Sequence, residues 1–328
     1  MISIPRRVLI KAAGSCAAVR AAPGVRAQSH YPSKPIQIVI GFPPGGTSDL
    51  VVRYVAQRMM TELKQPVIVM NRPPAGGRPA IAAVARSPAD GYTFVHGYAG
   101  TFSINPGLYR DKLEYSPEKD FVPVAALFTA AQILVINPSI PARTVAEFVR
   151  YAKANPDKVP FASAGIGSSN HFSGELLKSI GGFDALHVPF NGSAPAHVAL
   201  IGGHVMWSFD TGNILQHVRS GRLVALGAAV SQRLPALPDL PTIAETYPGF
   251  EARTWHGLFA PAGTPPEIVA LVNRIVNEAM TAQQGRELLA KTSLDPFAVS
   301  PEAFGNFVRA DMKKWTEVAV KANIQAPD

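Results

Sequence analysis

Short apolar runs alternate with helical periodicity along most of the chain. The run Ile36–Ile40 predicts a buried strand, and the segment Asp49–Leu63 after it predicts a helix. The runs Val67–Met70 and Tyr92–Val95 continue this alternation, which starts again near Val159–Ala162. Strands that alternate with helices are typical of sheets with mainly parallel strands and helices on both faces. We therefore predict an α/β protein.

The two sets of strands and helices predict two lobes. A chain of 328 residues, 47% of them hydrophobic, is too long for one ordinary core. We expect residues 28–125 and 252–328 to form the first lobe and residues 126–251 the second. The C-terminal helices are expected to pack on the first lobe. Two lobes joined by more than one crossing strand can close on a ligand as a hinge.

Residues 1–27 have the three parts of an export signal. The basic pair Arg6–Arg7 precedes a short apolar stretch, Val8–Val19, and small residues lead to Ala27. The stretch is too short to span a membrane, and the basic pair resembles the twin-arginine pattern. We expect export to a bacterial periplasm, with the route left open. The alternatives are a lipidation site at Cys16 and a disordered cytosolic tail.

Charge and cysteine content change once this segment is set aside. The net charge is +8, and removing the five cations of residues 1–27, which contain no acid, leaves +3. This weak basicity argues against a nucleic-acid partner. The one cysteine also lies in that segment, so the rest holds neither a disulfide nor a thiol nucleophile. We find no motif for a catalytic residue, metal or cofactor, and expect none of them.

The turn after the first predicted strand, Gly41–Asp49, suits an anion. Its glycines leave the backbone bare, and the next helix directs free N–H groups into the turn. Thr47 can contribute a hydroxyl or simply cap the helix. Asp49 either completes the helix start or receives a ligand ammonium group.

The turn after the second strand, Asn71–Arg78, is also rich in glycine. Arg78 stands where the next helix should begin. It can meet an anion there or remain a solvated surface arginine. Whether Arg78 touches a ligand stays open.

The turn Ser163–His171 lies between a strand and a helix of the second lobe. It has the G-x-G of a dinucleotide-binding fingerprint, but Asn170 occupies the position of the third glycine, so a nucleotide cofactor is poorly supported. Ser168, Ser169 and the bare amides can instead donate hydrogen bonds to a carboxylate. His171 adds a donor or is an ordinary histidine at a helix start.

Two further turns follow strands of the second lobe, one at Asn191–Ser193 and one at Asp210. In open α/β sheets, ligands lie outside the carboxyl ends of the strands, so the five turns are expected to converge on one ligand. The predicted ligand-binding residues are Phe42, Gly45, Gly46, Thr47, Asp49, Ser163, Gly165, Gly167, Ser168, Ser169, His171, Asn191, Ser193 and Asp210.

The order of short motifs resembles the Bug family, the periplasmic solute receptors of tripartite tricarboxylate transporters. The resemblance implies a two-lobed Venus-flytrap fold of the periplasmic-binding-protein type. It also implies a monomer that holds a small carboxylate through amides, hydroxyls and water, and hands it to a membrane permease. Pro74, Arg78 and Asn191 depart from the usual pattern, which leaves open which acid is bound. The matching motifs are Pro44–Asp49, Asn71–Gly77, Ser163–His171, Val188–Ala196, Gly202–Val205, Leu240–Thr242 with Glu245, and Trp255–Pro261.

Two other functions stay open from sequence alone. An exported hydrolase of esters would need a strained serine nucleophile with His171 as its base. A sensory receptor would pass the ligand signal to a signalling partner instead of a permease. The ligand class itself covers dicarboxylates, tricarboxylates, aromatic acids and acidic amino acids.

Overall fold

A computed structural model describes residues 31–73, 77–291, 294–322, 324 and 326. The predicted export segment and Pro74 lie outside the described residues. None of the described helices combines the length and the apolar character that crossing a membrane requires.

The strands form two mixed sheets. The first has the order β11-β4-β10-β3-β1-β2 and the second the order β7-β6-β8-β5-β9. Four of six strands in the first sheet and four of five in the second run in one direction, and β10, β11 and β5 run opposite to their neighbours. The strands are β1 (Ile36–Ile40), β2 (Val67–Asn71), β3 (Thr93–Tyr98), β4 (Phe121–Ala131), β5 (Ile133–Ile136), β6 (Phe161–Ser163), β7 (His187–Pro189), β8 (Trp207–Asp210), β9 (Val224–Ala228), β10 (Arg253–Pro261) and β11 (Asp295–Pro296).

Helices cover both faces of the sheets, which confirms the predicted two-lobed α/β fold. A π-helical turn, Gly100–Ile104, connects β3 to the first short helix of the next group. The helices are α1 (Thr47–Leu63), α2 (Arg78–Ala85), α3 (Asn105–Tyr109), α4 (Pro117–Asp120), α5 (Val145–Ala154), α6 (Ser169–Gly181), α7 (Ser193–Ile201), α8 (Leu215–Arg219), α9 (Pro266–Thr281), α10 (Gln283–Lys291) and α11 (Pro301–Lys321).

Strand β1 shows why the first sheet needs two helical layers. Ile38 faces the cluster that contains Val55 of α1, whereas its neighbour Val39 faces the cluster that contains Ile81 of α2. Successive strand residues point to opposite faces, so a strand with apolar residues on both faces must be covered on both sides. This arrangement directs the carboxyl ends of β1, β2 and β3 to one common edge.

The chain crosses between the sheets at two adjacent segments. Gln132 separates β4 from β5, and its carbonyl oxygen accepts a hydrogen bond from the Ala229 amide at 2.7 Å. The Ala252 amide donates to the Ala229 carbonyl at 3.0 Å as the chain returns to β10. The boundary predicted between residues 125 and 126 falls inside β4, so the structure moves this crossing to Gln132. The chain returns to the first sheet at β10, which begins at Arg253.

The C-terminal helices pack mainly on the first sheet. Helix α9 contributes Val272 and Ile275 to the same cluster as α1, as expected. Helix α11 contacts more of the protein than predicted. Its Phe304 ring lies 5.4 Å from Trp255 in the first lobe, but its Trp315 ring lies 6.0 Å from Phe172 of α6 in the second. The last helix therefore contacts both lobes.

Candidate functional site

The loop between β1 and α1 presents bare backbone to open space. Gly45 has a φ of +87°, which favours glycine, and Gly46 precedes the helix in an extended conformation. A Cβ atom built on either glycine would meet no atom within 4 Å. Among the described residues, no side chain caps this helix start. The amides of Ser48 and Asp49 in the first helical turn are therefore available to an anion.

The carboxylate of Asp49 accepts hydrogen bonds from residues of its own lobe. Its Oδ2 accepts hydrogen bonds from the Gly45 amide at 2.9 Å and from Arg53 Nε at 2.8 Å. Its Oδ1 accepts from Asn71 Nδ2 at 2.8 Å, and Asn71 Nδ2 also donates to the Phe42 carbonyl at 3.1 Å. These bonds tie the loop after β1 to the loop after β2. They favour the structural role of Asp49 over contact with a ligand ammonium group.

The electrostatics of Asp49 agree with this role. Burial raises the pKa of its carboxyl, but hydrogen bonds from Arg53, Gly45 and Asn71 outweigh burial and hold the pKa below its ordinary value. The ion pair with Arg53 compensates its negative charge, so an anion above the loop does not face an unpaired carboxylate.

Aromatic and imidazole rings form the floor beside this loop. The Tyr98 ring centroid lies 5.0 Å from that of Phe42 and 5.6 Å from that of His256. His96 Nε2 lies 2.9 Å from His256 Nδ1, and Ser48 Oγ lies 3.3 Å from the same Nδ1. Burial lowers the pKa of His96 to about 4 and the pKa of His256 well below its usual range. Both rings are therefore neutral at pH 7.

The second-lobe loop after β6 is held by its own side chains. Ser163 is fully buried, and its Oγ lies 2.6 Å from His187 Nε2 and 3.1 Å from both the carbonyl and the amide of Gly165. Ser163 thus shapes the turn and has no exposed atom for a ligand. Gly165 takes a φ of +128°, which suits glycine.

Ser168 and His171 also support the loop. Ser168 Oγ donates to the Gly165 carbonyl at 2.5 Å and accepts from the His171 amide at 3.4 Å as the cap of α6. The Gly167 amide donates to His171 Nδ1 at 3.3 Å, and burial lowers the pKa of His171 well below its usual range. His171 is therefore a neutral, buried ring whose Nδ1 is already an acceptor.

The first turn of α6 keeps free amides. Ser169 and Asn170 occupy its first two positions, where a helix offers no carbonyl acceptor, and the structure gives their amides no partner among the described residues. Asn170 Oδ1 accepts from the Ala164 amide at 3.3 Å, which again stabilises the loop. The ligand-facing chemistry of this loop thus rests on backbone N–H groups more than on hydroxyls.

The fourth and fifth predicted turns adjoin the third. The Gly192 amide donates to the Ala164 carbonyl at 3.2 Å, which joins the turn after β7 to the turn after β6. Asp210 is buried at the end of β8, with Oδ2 2.6 Å from His197 Nε2. Within the described part of the chain, no hydrogen bond links Asn191, Ser193 or Asp210 to the first lobe. The structure therefore groups these turns within the second lobe only.

Two contacts connect the second-lobe loop to the first lobe. Ser169 Oγ lies 3.0 Å from Thr254 Oγ1 of β10. A Cβ atom on Gly167 would lie 2.6 Å from Asn105 Oδ1 and 3.1 Å from Leu108 Cδ2, so this glycine presses against α3. The loop after β6 therefore sits at the junction of the lobes.

The geometry gives no working serine hydrolase pair at this loop. In the loop after β6, the serine hydroxyl in contact with a histidine ring is that of Ser163, which is fully buried and bonded to Gly165. His171 Nδ1 is engaged with Gly167, and its Nε2 lies 3.9 Å from Glu175. A nucleophile needs an accessible hydroxyl beside its base, and neither ring offers one. The described residues contain no group of three or more side chains that could hold a metal ion.

Two surface cavities lie elsewhere. Their volumes are about 650 and 510 Å³, and both are lined by Pro106, Arg110, Glu118 and Met312 on the outer side of α3 and α11. None of the predicted binding residues lines them. The candidate site is therefore defined by the loops at the sheet edges and not by these cavities.

Sequence reasoning missed several residues of the site. His96 and Tyr98 lie at the end of β3, and the sequence signalled this strand only through its apolar start. His256 lies within the apolar run of β10, and Thr254 lies just before that run. Polar residues at alternate positions of such a run are the signal that could have identified them. Asn71 belongs to one of the matching motifs, but no sequence signal shows that it anchors Asp49.

Comparisons with known proteins match this architecture. Residues 51–324 match the family model described as tripartite tricarboxylate transporter family receptor. The chain is 35% identical over 291 residues to Protein BugT of Bordetella pertussis, covering 88% of this chain and 89% of that protein. Among solved structures, R. palustris Rpa4515 with adipate has a TM-score of 0.83 at 33% identity, covering 90% and 99% of the two chains. MatC from Rhodopseudomonas palustris with bound malate has a TM-score of 0.79 at 34% identity, covering 88% and 99%.

These matches span both lobes and nearly the full length of the compared proteins. They confirm the resemblance that the motifs after β1, β2 and β6 suggested. With this family-model match, this identity and this shared fold, the chain belongs to the Bug family of tripartite tricarboxylate transporter receptors.

Proposed function

We propose that the protein is a periplasmic receptor that binds a small carboxylate between its lobes and delivers it to the permease of a tripartite tricarboxylate transporter. The observation that carries this proposal is the pair of loops whose helix starts offer free amides from opposite lobes. Ser48 and Asp49 lie in the first turn of α1, and Ser169 and Asn170 are the first two residues of α6. Amides at a helix start bind carboxylates through hydrogen bonds and the helix dipole.

Related receptors support the ligand class. The solved structures compared above carry adipate and malate, which are both carboxylates. The site here is built from amides, neutral histidines and a charge-compensated aspartate, so it offers donors to an anion without opposing it by an unpaired negative charge. The proposed receptor binds its ligand without a catalytic step and without a cofactor or metal.

Binding works by a shift of population between open and closed forms. A ligand that contacts both lobes favours the closed form by the extra contacts that it makes there. The paired crossings at Gln132, Ala229 and Ala252 allow one lobe to turn against the other. Ser169 and Thr254 meet across the lobes in the form described here.

A thermal-shift screen of the purified protein tests ligand capture. The panel contains monocarboxylates, dicarboxylates, tricarboxylates, aromatic acids and amino acids. A bound acid at 100 times its Kd should stabilise the protein by about 2.7 kcal/mol. No shift with any acid, together with hydrolysis of an ester panel, would instead indicate the exported hydrolase.

Uptake experiments test the transporter partner. Cells that lack the chain should fail to accumulate the radiolabelled acid, and uptake should return only when the chain and the permease subunits are both present. Unchanged uptake with a lost transcriptional response to the acid would assign the chain to a sensory role.

A further inference from the structure

Arg78 is the cation closest in sequence to the contact between the two first-lobe loops. It is the first residue of α2 and follows Gly77, which has a φ of +83°. A Cβ atom on Gly77 would lie 2.8 Å from the Cα of Gly41, so the two loops touch backbone to backbone. This contact fixes the start of α2 beside the loop that presents the amides of α1.

The side chain of Arg78 is positioned by a ring of the first lobe. Its guanidinium carbon lies 3.9 Å from the centroid of the Tyr109 ring, and the side chain is half-buried. The positive charge of Arg78 also lowers the pKa of Tyr98 and Tyr109, although burial has the larger effect and raises both. A guanidinium that stacks on a ring keeps the N–H donors along its edge available for a planar acceptor.

No acid in the described part of the chain pairs with this guanidinium. The carboxylate of Asp49, in the other first-lobe loop, is bonded to Arg53 at 2.8 Å and so is already compensated. Hydrogen bonds from Arg78 to other described residues are likewise absent. A half-buried charge without a counter-ion is costly unless an anion joins it. The positive charge of Arg78 is therefore not neutralised by an ion pair within the described chain.

Arg78 also lies near the place where the second lobe touches the first. Tyr109, which carries the stack, is the last residue of α3, and Leu108 and Asn105 of the same helix contact Gly167. The ring of Tyr98 connects this corner to Phe42 in the loop before α1. A ligand held by the amides of the two loops thus has an aromatic wall beside it and a cation at the end of that wall.

We propose that Arg78 binds a second carboxylate of the ligand and so makes this receptor selective for dicarboxylates. The inference rests on the proposed function, since the loop amides hold the first carboxylate. Arginine matches a carboxylate in a two-pronged geometry, which gives direction as well as charge. The aromatic wall of Phe42 and Tyr98 suits an apolar spacer between the two carboxylates.

The test compares each diacid with its monomethyl ester, which keeps the length and removes one charge. Isothermal titration calorimetry with straight-chain diacids of four to eight carbons gives the Kd values for wild type, Arg78→Gln and Arg78→Lys. The control is Arg86→Gln, since Arg86 lies just beyond the same helix with a 70% exposed side chain. Wild type should bind its best diacid at least about 10-fold tighter than the ester.

Arg78→Gln should weaken diacid binding by about 10- to 100-fold and leave ester binding within about 2-fold. Arg78→Lys keeps the charge and should keep part of the preference, and Arg86→Gln should match wild type. An equal effect of Arg78→Gln on diacid and ester would overturn the proposal, because it would assign the loss of affinity to packing on Tyr109 and not to a second carboxylate. Absence of binding of any acid by wild type would instead contradict the proposed function itself.

Discussion

Thr254 and His256 lie two residues apart on β10, and each contacts the binding loop of a different lobe. Thr254 Oγ1 lies 3.0 Å from Ser169 Oγ, and His256 Nδ1 lies 3.3 Å from Ser48 Oγ. Side chains two apart on a strand point to the same face, so one face of β10 joins both loops. This strand therefore links the first turn of α1 to the first turn of α6.

The contact between Ser169 and Thr254 should stabilise the closed form. It joins residues of the two lobes, and a buried hydrogen bond contributes about 1 kcal/mol. Thr254→Val and Ser169→Ala should each weaken ligand affinity by about 5-fold, measured by calorimetry. The double variant should lose no more than either single variant, because the same bond is removed. Fully additive losses would show that the two hydroxyls act independently.

Gly46 should tolerate a side chain in the fold but not in the binding site. Its φ of −77° is ordinary for any residue, and a Cβ atom there meets nothing within 4 Å. Gly46→Leu should reduce affinity by at least about 100-fold and change the free energy of unfolding by less than about 0.5 kcal/mol. The control Ala83→Leu lies on the exposed side of α2 and should bind normally. Wild-type affinity in Gly46→Leu would place the ligand elsewhere.

Ser168 should affect stability as well as binding. Its Oγ caps α6 and bonds to the Gly165 carbonyl, and these structural roles stand beside the predicted hydrogen bond to a carboxylate. Ser168→Ala should lower the free energy of unfolding by about 1 kcal/mol in urea titrations. It should also weaken binding, because the amides of Ser169 and Asn170 lose their support. Ser168→Thr keeps a capping hydroxyl and should restore most of both properties; failure of that rescue would contradict the capping role.

Asp49 should act through the loop and not through a ligand ammonium group. Asp49→Asn weakens the bonds to Arg53 and the Gly45 amide, and should lower the free energy of unfolding by about 1–3 kcal/mol. Affinities for an acidic amino acid and for the matching acid without the amino group should fall by the same factor. A loss confined to the amino acid would restore the alternative in which Asp49 receives an ammonium group.

The strands and turns could be predicted because their signals are local. The apolar run of β1 and the glycines after it fix a strand and a turn within a few residues, and parallel pairing then places the turn at the sheet edge. The roles of single side chains could not be predicted this way. A serine at a helix start, such as Ser168, can cap the helix or bind a ligand through the same hydroxyl group. The surrounding residues determine which of these two roles it has.

Long-range pairing explains the other differences. The run Trp255–Ala260 shows no partner in sequence, yet it forms part of β10 between β3 and β4 and brings His256 beside His96. Helix α11 likewise has a single apolar face, but that face continues from Phe304 in the first lobe to Trp315 at the second. Periodicity predicts that such a face is buried but not against which lobe.

The buried histidines predict a loss of stability in mild acid. Burial lowers the pKa of His96 to about 4, whereas an unfolded histidine has a pKa of about 6.5. Between these two pKa values the unfolded chain binds more protons than the folded chain. The contribution of His96 to the free energy of unfolding is therefore fully present above pH 6.5 and is lost as the pH drops toward 4. For His96 the loss at pH 5 is about 2 kcal/mol. Urea titrations at pH 7 and pH 5 measure it.

His96→Gln should show a smaller pH dependence than wild type, because one titrating ring is removed and His256 loses the neighbour that helps to depress its pKa. His204→Gln is the matched control for the substitution itself, since it replaces an exposed histidine outside the ring pair. An unchanged slope in His96→Gln would mean that the ring pair is not held neutral in the fold. The floor of the site would then carry a positive charge, and binding of carboxylates should strengthen as the pH falls from 7 to 5.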